Sequence, residues 1–257
     1  MEITVMNGAG NDFVVLDARG KVLDFPKLAM ELCEKYGTDG LLAADVSETA
    51  DFKLHFYNPD GLRGEMCGNG ARCICKFAYD TGLAGEAMVV ETDAGLVYGW
   101  RLDENRYKVK LNNPGLVDLH RRKDAAYIEL GDPGIPHSVT EYPGLNQQDK
   151  EALRPVFLDI RHDKVFPKGV NVNLYRLTGD ASADILTFER GVEDFTLACG
   201  TGSASVAVAL YLQNRLPGGR LSVKNPGGIL EISLEGDGKT VTALYLEGPA
   251  EYKKHPV

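Results

Sequence analysis

The sequence carries one four-residue element twice: a cysteine followed by glycine, a polar residue and a second glycine. The copies are Cys67-Gly68-Asn69-Gly70 and Cys199-Gly200-Thr201-Gly202, which lie about half of the 257-residue chain apart. Glycine permits tight turns and close backbone approach to a ligand. A helix that begins after such a turn presents unpaired N–H groups and a positive dipole end, which stabilises a thiolate. The repeat therefore predicts a duplicated fold with two tunable thiols beside an anion-binding pocket.

Each half of the chain is predicted to contain strands, the cysteine-glycine turn, a central helix and further strands. In the first half, the pattern predicts helices over 26–36, closed by Gly37, and over 69–80, closed by Gly82. The helix predicted over 201–214 is apolar nearly all round and should be buried. Alternating apolar residues and turn signals predict strands at 2–6, 12–17, 52–57, 87–92, 95–102, 106–111, 126–130, 155–160, 171–176, 183–188, 229–234 and 240–246.

The breaker cluster Asn112-Asn113-Pro114-Gly115 is the predicted domain boundary. It divides the chain into a first domain, 1–114, and a second domain, 115–247, each with one copy of the cysteine element. The expected fold class is α+β, with two similar domains and a cleft between them, where small-molecule sites commonly form.

Composition argues against several partners. The net charge of −9 argues against nucleic acid or an anionic membrane surface as a partner. No apolar run approaches the roughly 20 residues needed to span a bilayer, and the first residues lack the features of a signal peptide. The five cysteines form an odd number, which favours reduced thiols. We therefore expect a cytoplasmic protein that does not contact a membrane.

A metal site is not expected. The first-half cysteines at 67, 73 and 75 have the spacing C-x5-C-x-C, which is not a usual zinc pattern, and the five histidines are scattered. Cys33, Cys73 and Cys75 lie in predicted helices and are expected to fill core space, as buried cysteines often do. Cys67 and Cys199 differ from them because both lie in the duplicated glycine context.

Two thiols suit the racemisation of an amino acid. The reaction removes a weakly acidic α-proton from one face and returns a proton to the other. One cysteine can act as thiolate base and the other as thiol acid, with the roles exchanged in the reverse direction. The backbone N–H groups of Gly68, Asn69, Gly200 and Thr201 could hold the substrate carboxylate as charge builds on it. No pyridoxal-phosphate or nucleotide motif is present, so no cofactor is expected.

The chain resembles the diaminopimelate epimerases over nearly its full length. The motifs MNGAGNDFVVLD, YNPDG, EMCGNGARC, GIPH, KGVNVN, ERG and LACGTG occur in the order seen in that family. The resemblance implies two pseudo-symmetric domains, each a β-sheet wrapped around a central helix, with a last strand at about 248–257 that returns to the first domain. It also implies cofactor-independent interconversion of LL- and meso-diaminopimelate, and a homodimer.

The resemblance also implies residue roles. Cys67 and Cys199 are similar to the acid–base pair, and Asn11 to a substrate contact near the reacting centre. His137 and Glu189 are candidates for setting thiol protonation. The groups that resemble those holding the distal end of the substrate are Asn58, Asn171, Arg190 and Glu189. Without the resemblance, hydrogen bonding at turns and strand ends would be the favoured explanation of Asn11, Asn58 and Asn171.

Three positions depart from the family pattern. The segment from Glu189 to Cys199 is one residue longer than usual. Ile135 stands where many members have an asparagine, and an apolar side chain cannot donate a hydrogen bond. Gly40 takes a place that is glutamine in some members. These departures concern the identity of the amino acid and leave the two-thiol chemistry intact.

Several alternatives therefore stay open. Ile135 and the longer loop suit a related racemase of another amino acid, such as histidine. Proline racemases have an MCGHG motif, whereas this chain has Asn69, and they carry a proline where it has Ala198, so a secondary-amine substrate is not expected. Phenazine-biosynthesis isomerases share the implied fold but lack the cysteine pair, so they fit this chain less well. From another class, Cys67 and Cys199 could form the disulfide switch of a redox or small-molecule-binding protein.

Overall fold

The computed structural model describes residues 2–64, 67–123 and 125–253. The chain divides into two compact units, Met1–Lys110 with Glu247–Val257, and Leu111–Leu246. The domain bounds expected from the sequence, 1–114 with about 248–257 and 115–247, stay a prediction. Within the described residues, no helix combines the length and the apolar character that a membrane crossing requires.

In the part of the first unit that the structure describes, seven strands and two helices precede the second unit. In chain order they are β1 (Ile3–Gly8), β2 (Asn11–Asp17), α1 (Phe25–Tyr36), β3 (Gly40–Asp45), β4 (Phe52–Tyr57), α2 (Gly68–Asp80), β5 (Ala87–Thr92), β6 (Gly95–Arg101) and β7 (Arg106–Leu111).

Strand pairing in this unit alternates in direction. β1–β2, β3–β4 and β5–β6 are antiparallel, whereas β2–β3 and β4–β5 are parallel. Antiparallel neighbours can be joined by a short turn, but parallel neighbours need a crossover connection. Helices α1 and α2 supply the two crossovers. Asp24 caps α1 by accepting from the N–H of Lys27, and Gly37 ends the helix in a left-handed conformation.

Within the described residues, the second unit contains eight strands and two α-helices ahead of the strand that leads back to the first unit. They are β8 (Pro114–Arg122), β9 (Ala125–Gly131), β10 (Gly134–Glu141), α3 (Lys150–Arg161), β11 (Asn171–Gly179), β12 (Ser182–Glu189), β13 (Asp194–Thr196), α4 (Gly200–Leu212), β14 (Arg220–Asn225) and β15 (Gly228–Gly236), with a short 3₁₀ helix at Gln147–Asp149.

The second unit repeats the pairing order of the first. β9–β10, β11–β12 and β14–β15 are antiparallel, and β10–β11 and β12–β14 are parallel. Helices α3 and α4 are again the crossovers. The α+β class and the duplicated plan predicted from the sequence are confirmed.

The chain then returns to the first unit. β16 (Val241–Pro249) leads into β17 (Glu251–Tyr252), and β17 pairs antiparallel with β1, with Met6 opposite Tyr252. The N–H of Lys253 extends this contact by donating to Val5 O at 2.9 Å.

In each unit, one helix lies at the centre of the core. Helix α2 packs on β1, β2, β3 and β6, and α4 packs on β9, β10, β11, β14 and β15. Residues 69–78 of α2 and 202–210 of α4 are buried. Because both helices begin at the cysteine element, the core holds the two elements in place.

One predicted element is wrong. Residues 155–160 were expected to form a strand, but they belong to α3. The short apolar run Val156-Phe157-Leu158 with Ile160 fits a strand as well as a helix, but the buried side chains are Phe157 and Ile160, three residues apart, as on one face of a helix. Lys150–Arg154 also contains good helix formers that begin the helix ahead of Pro155.

Candidate active site

Cys67 lies at the start of the buried helix in the first unit. Its backbone is extended (φ −127°, ψ 120°) and it occupies the N-cap position of α2. Its carbonyl accepts the first helical hydrogen bond, from Ala71 N at 2.7 Å, and its side chain is half-buried. The N–H groups of Gly68 and Asn69 belong to the first turn, where helical N–H groups have no partner within the helix. The thiol therefore stands beside the positive end of a helix dipole.

A directed chain of hydrogen bonds connects α2 with β2. The fully buried Arg72 guanidinium donates to Asn69 Oδ1 at 2.9 Å, and Asn69 Nδ2 donates to Asn11 Oδ1 at 2.6 Å. Asn11 Nδ2 then donates to Asp39 Oδ2 at 3.3 Å. A guanidinium can only donate and a carboxylate can only accept. Both ends thus fix the orientation of the amides of Asn69 and Asn11, two predicted substrate contacts.

Arg72 is a functional candidate that sequence reasoning missed. Its other hydrogen bonds go to neutral oxygens, Gly68 O at 3.2 Å and Pro249 O at 3.3 Å. Burial lowers the pKa of its guanidinium to about 10, and it remains a cation at neutral pH. The sequence did contain one indication of this role. Arg72 is a charged residue five positions after Cys67, inside a helix whose residues 69–78 are all buried.

Asn58 follows directly after β4 and is half-buried. Its N–H donates to Leu62 O at 2.8 Å, and its carbonyl accepts from Gly61 N at 3.0 Å. The backbone of Asn58 therefore forms part of the turn that the sequence indicated. These bonds fit the explanation of Asn58 as a turn residue.

Cys199 occupies the matching position in the second unit. Its backbone is also extended (φ −116°, ψ 108°), and it is the N-cap residue of α4. Its Sγ accepts from Gly202 N at 3.3 Å and lies 3.5 Å from Thr201 Oγ1. Cys199 is only 5% exposed, whereas Cys67 is half-buried. The two thiols therefore have the same place in the fold but different surroundings.

The surroundings of Cys199 keep its thiol protonated. Burial raises its pKa well above the usual value, and the negative charge of Glu189 raises it further. The hydrogen bonds from Thr201 and Gly202 act in the opposite direction but are outweighed. A thiol in this state is a proton donor rather than a base.

Replacing Glu189 with glutamine should lower the pKa of Cys199, because the substitution removes a negative charge that opposes the thiolate. In a Cys67→Ser background, alkylation of Cys199 by iodoacetamide at pH 9, followed by mass spectrometry, should become faster. Glu141→Gln, at a carboxylate that pairs with Arg215, is the control and should leave the rate unchanged. An equal or slower rate for Glu189→Gln would contradict the proposed effect.

The loop after β12 joins Glu189 and Arg190 to the neighbouring strand. Asn171, the first residue of β11, accepts the Arg190 N–H on its Oδ1 at 2.8 Å. Arg190 Nη1 donates to Lys168 O at 2.7 Å, while its side chain stays exposed. The loop then turns at Gly191 and Glu193, both with positive φ, and Glu193 N donates to Glu189 O at 2.8 Å.

His137 is a direct neighbour of Asn171, because the two residues are partners in the parallel register of β10 and β11. It is fully buried. Burial and, secondarily, the charge of Arg190 lower its pKa to about 3. His137 is therefore neutral at physiological pH, and it acts as a hydrogen-bonding group rather than as a cation.

The structure thus brings the predicted residues together in two sets. In the first unit, Asn69 in the first turn of α2, two residues after Cys67, is hydrogen-bonded to Asn11 at the start of β2. In the second unit, one connected set contains His137, Asn171, Glu189, Arg190, Cys199, Gly200 and Thr201. The described residues contain no group of three or more His, Cys, Asp or Glu side chains that could hold a metal ion.

Solved structures with this fold come from several enzyme groups. A phenazine biosynthesis protein of the PhzF family from Bacillus anthracis superposes with a TM-score of 0.74 at 15% identity, covering 99% of this chain and 98% of that chain. A probable proline racemase from Agrobacterium radiobacter gives a TM-score of 0.69 at 14% identity, with 99% and 92% covered. At identities of 15% and 14%, these similarities establish the fold but not the function.

Sequence relatives define the family within this fold. The family model of diaminopimelate epimerase matches residues 3–117 and 132–253. The diaminopimelate epimerase of Chlorobaculum tepidum is 34% identical over 260 residues, covering 95% of this chain and 96% of that protein. The one from Archaeoglobus fulgidus is 34% identical over 256 residues, with 91% and 89% covered. The chain belongs to the diaminopimelate epimerase family, which confirms the resemblance seen in its motifs.

Proposed function

We propose that this chain is an isomerase that interconverts LL- and meso-diaminopimelate, a step of lysine biosynthesis. The observation that carries the proposal is the cysteine at the N-cap of the buried central helix in each unit. Relatives named diaminopimelate epimerase, similar over nearly the whole chain, support this substrate.

In the proposed reaction, Cys67 and Cys199 are the acid–base pair. The high pKa of Cys199 supports its role as the thiol that donates a proton in one direction. Cys67, half-buried at a helix N-terminus, then acts as the thiolate that removes the α-proton. In the reverse direction the roles are exchanged. The N–H groups of Gly68, Asn69, Gly200 and Thr201 hold the substrate carboxylate where negative charge develops.

The distal amino-acid end of the substrate is assigned to the polar groups carried by strand ends and by the loop after β12. Arg190 is exposed and can form a bidentate pair with a carboxylate, and Glu189 can pair with an ammonium. Asn58 and Asn171 complete this set. Asn171 also holds the backbone of Arg190, so its replacement would disturb the loop as well as the contact.

The chemistry assigned to these residues needs no cofactor, because thiols and helix N-termini supply the base, the acid and the charge stabilisation. We further propose that the enzyme is a homodimer, as the family resemblance implies, and that it works in the cytoplasm, where its thiols stay reduced.

A second candidate function is racemisation of another amino acid, such as histidine. One observation favours it: Ile135, on β10 two residues before His137, is 38% exposed. An exposed isoleucine at this position offers apolar surface rather than a hydrogen-bond donor.

The two candidates are separated by proton NMR of amino acids incubated with reduced enzyme in D₂O. Loss of the α-proton signal from LL-diaminopimelate alone, in a panel with histidine, lysine, glutamate and proline, is the expected result. Exchange of another panel member without diaminopimelate would reassign the substrate. No exchange with any member, with both thiols shown to be reduced, would favour the redox or binding function.

A further inference from the structure

Asn173 lies in a buried polar cluster beneath the start of α4. It is fully buried in β11. Its Nδ2 lies 3.0 Å from Ser138 O and 3.2 Å from Asn171 O, and its Oδ1 accepts from Thr187 Oγ1 at 2.9 Å. Backbone carbonyls can only accept, so the amide nitrogen must face them. The orientation of the Asn173 side chain is therefore fixed.

The same amide nitrogen lies 3.2 Å from Nδ1 of His137. The amide nitrogen shares its two hydrogens among these three acceptors and cannot itself accept, so a protonated Nδ1 would point its hydrogen at a group that has no acceptor. We therefore assign Nδ1 as the unprotonated nitrogen of the ring. Because burial keeps the imidazole neutral, its single proton lies on Nε2. Nε2 is buried, and among residues 2–64, 67–123 and 125–253 it has no hydrogen-bond partner.

We propose that Asn173 is a positioning residue that holds His137 in the Nε2–H tautomer, so that a buried N–H is available to an acceptor atom of the bound substrate or of a thiolate. This role deepens the proposed function and rests on it only for the identity of that acceptor.

The packing around Asn173 holds its side chain in one position. Gly202, in the first turn of α4, lies so close that a Cβ there would overlap Asn173 Oδ1. The amide is thus enclosed by α4, by the hydroxyl of Thr187 and by two backbone carbonyls. An aspartate at 173 would place a carboxylate oxygen against both carbonyls, so the site selects an amide.

The tautomer can be read directly by long-range ¹H–¹⁵N NMR of the ¹⁵N-histidine-labelled full chain, with the His137 signals assigned by their loss in His137→Asn. We expect one pyrrole-like Nε2 and one pyridine-like Nδ1 at pH 7. A protonated Nδ1, or an imidazolium, would overturn the proposal. This measurement uses the unmodified protein, so it does not depend on the folding of a variant.

Asn173→Ala should release Nδ1, so that its resonance moves and the Nδ1–H tautomer becomes populated. It should also reduce kcat/KM for LL-diaminopimelate by about tenfold or more, as expected for a misplaced proton donor. Thr187→Val, which removes a different hydrogen bond of the same amide, is the matched control and should keep the wild-type tautomer. An unchanged His137 spectrum in Asn173→Ala would refute the positioning role. If the unmodified enzyme exchanges the α-proton of none of the panel amino acids, the proposed function fails. The NMR result for the His137 tautomer still tests the positioning role of Asn173.

Discussion

Replacing either Cys67 or Cys199 with alanine is expected to reduce epimerisation of LL-diaminopimelate by about 10²- to 10⁴-fold, the range that a positioned acid or base typically contributes. Each substitution removes one of the two groups that the proposed reaction requires. The loss should therefore appear mainly in kcat, measured by the rate of conversion of LL- to meso-diaminopimelate.

Cys33→Ala is the matched control for both variants. Cys33 is a buried cysteine like Cys199, but it belongs to α1 and packs in the core of the first unit. Its replacement should alter stability slightly and leave kcat unchanged. Full epimerase activity in Cys67→Ala would eliminate the two-thiol mechanism, whatever the behaviour of the control.

Gly202→Ala is expected to have the second-largest effect, on both stability and activity. The new methyl group would overlap Asn173 Oδ1, and it would lie 3.2 Å from Cys199 Sγ. The Asn173 amide cannot move aside, because hydrogen bonds hold both of its polar atoms. The first turn of α4 must therefore shift, and it carries Cys199 with it. Overpacking of this kind typically costs about 1–3 kcal/mol.

Chemical denaturation should show the lower stability of Gly202→Ala, and the epimerase assay should show its loss of activity. Gly218→Ala is a suitable control in the same unit, because nothing lies within 4 Å of the Cβ that it would add. Equal stability and activity in the two variants would contradict the predicted overlap between the first turn of α4 and Asn173.

The sequence predicted the elements that carry the thiols because their signals are local. A cysteine between a turn and a helix with an apolar face is visible in both halves, and α2 and α4 begin within one residue of their predicted starts. The error at α3 has a local cause as well. A short apolar run such as Val156–Ile160 fits a strand as well as a helix, and only tertiary packing selects the helical face with Phe157 and Ile160.

The roles of Arg72 and Asn173 could not be predicted, because both depend on partners far away in the sequence. Arg72 bonds the carbonyl of Pro249, which the returning chain brings to α2. Asn173 bonds the ring of His137 across two parallel strands. Position 173 does share a strand face with Asn171, since alternate residues point the same way. That periodicity indicates a common environment but not the hydrogen-bonding role.

The most direct test of the two-thiol proposal follows the α-hydrogen of LL-diaminopimelate in D₂O at early conversion. With separate acid and base, the newly formed meso product should carry deuterium at the inverted carbon, while the remaining LL substrate keeps its proton. Proton NMR and mass spectrometry of the separated isomers would measure both. Substrate proton carried over into the meso product would contradict the paired-thiol mechanism, and absence of conversion would contradict the assigned substrate.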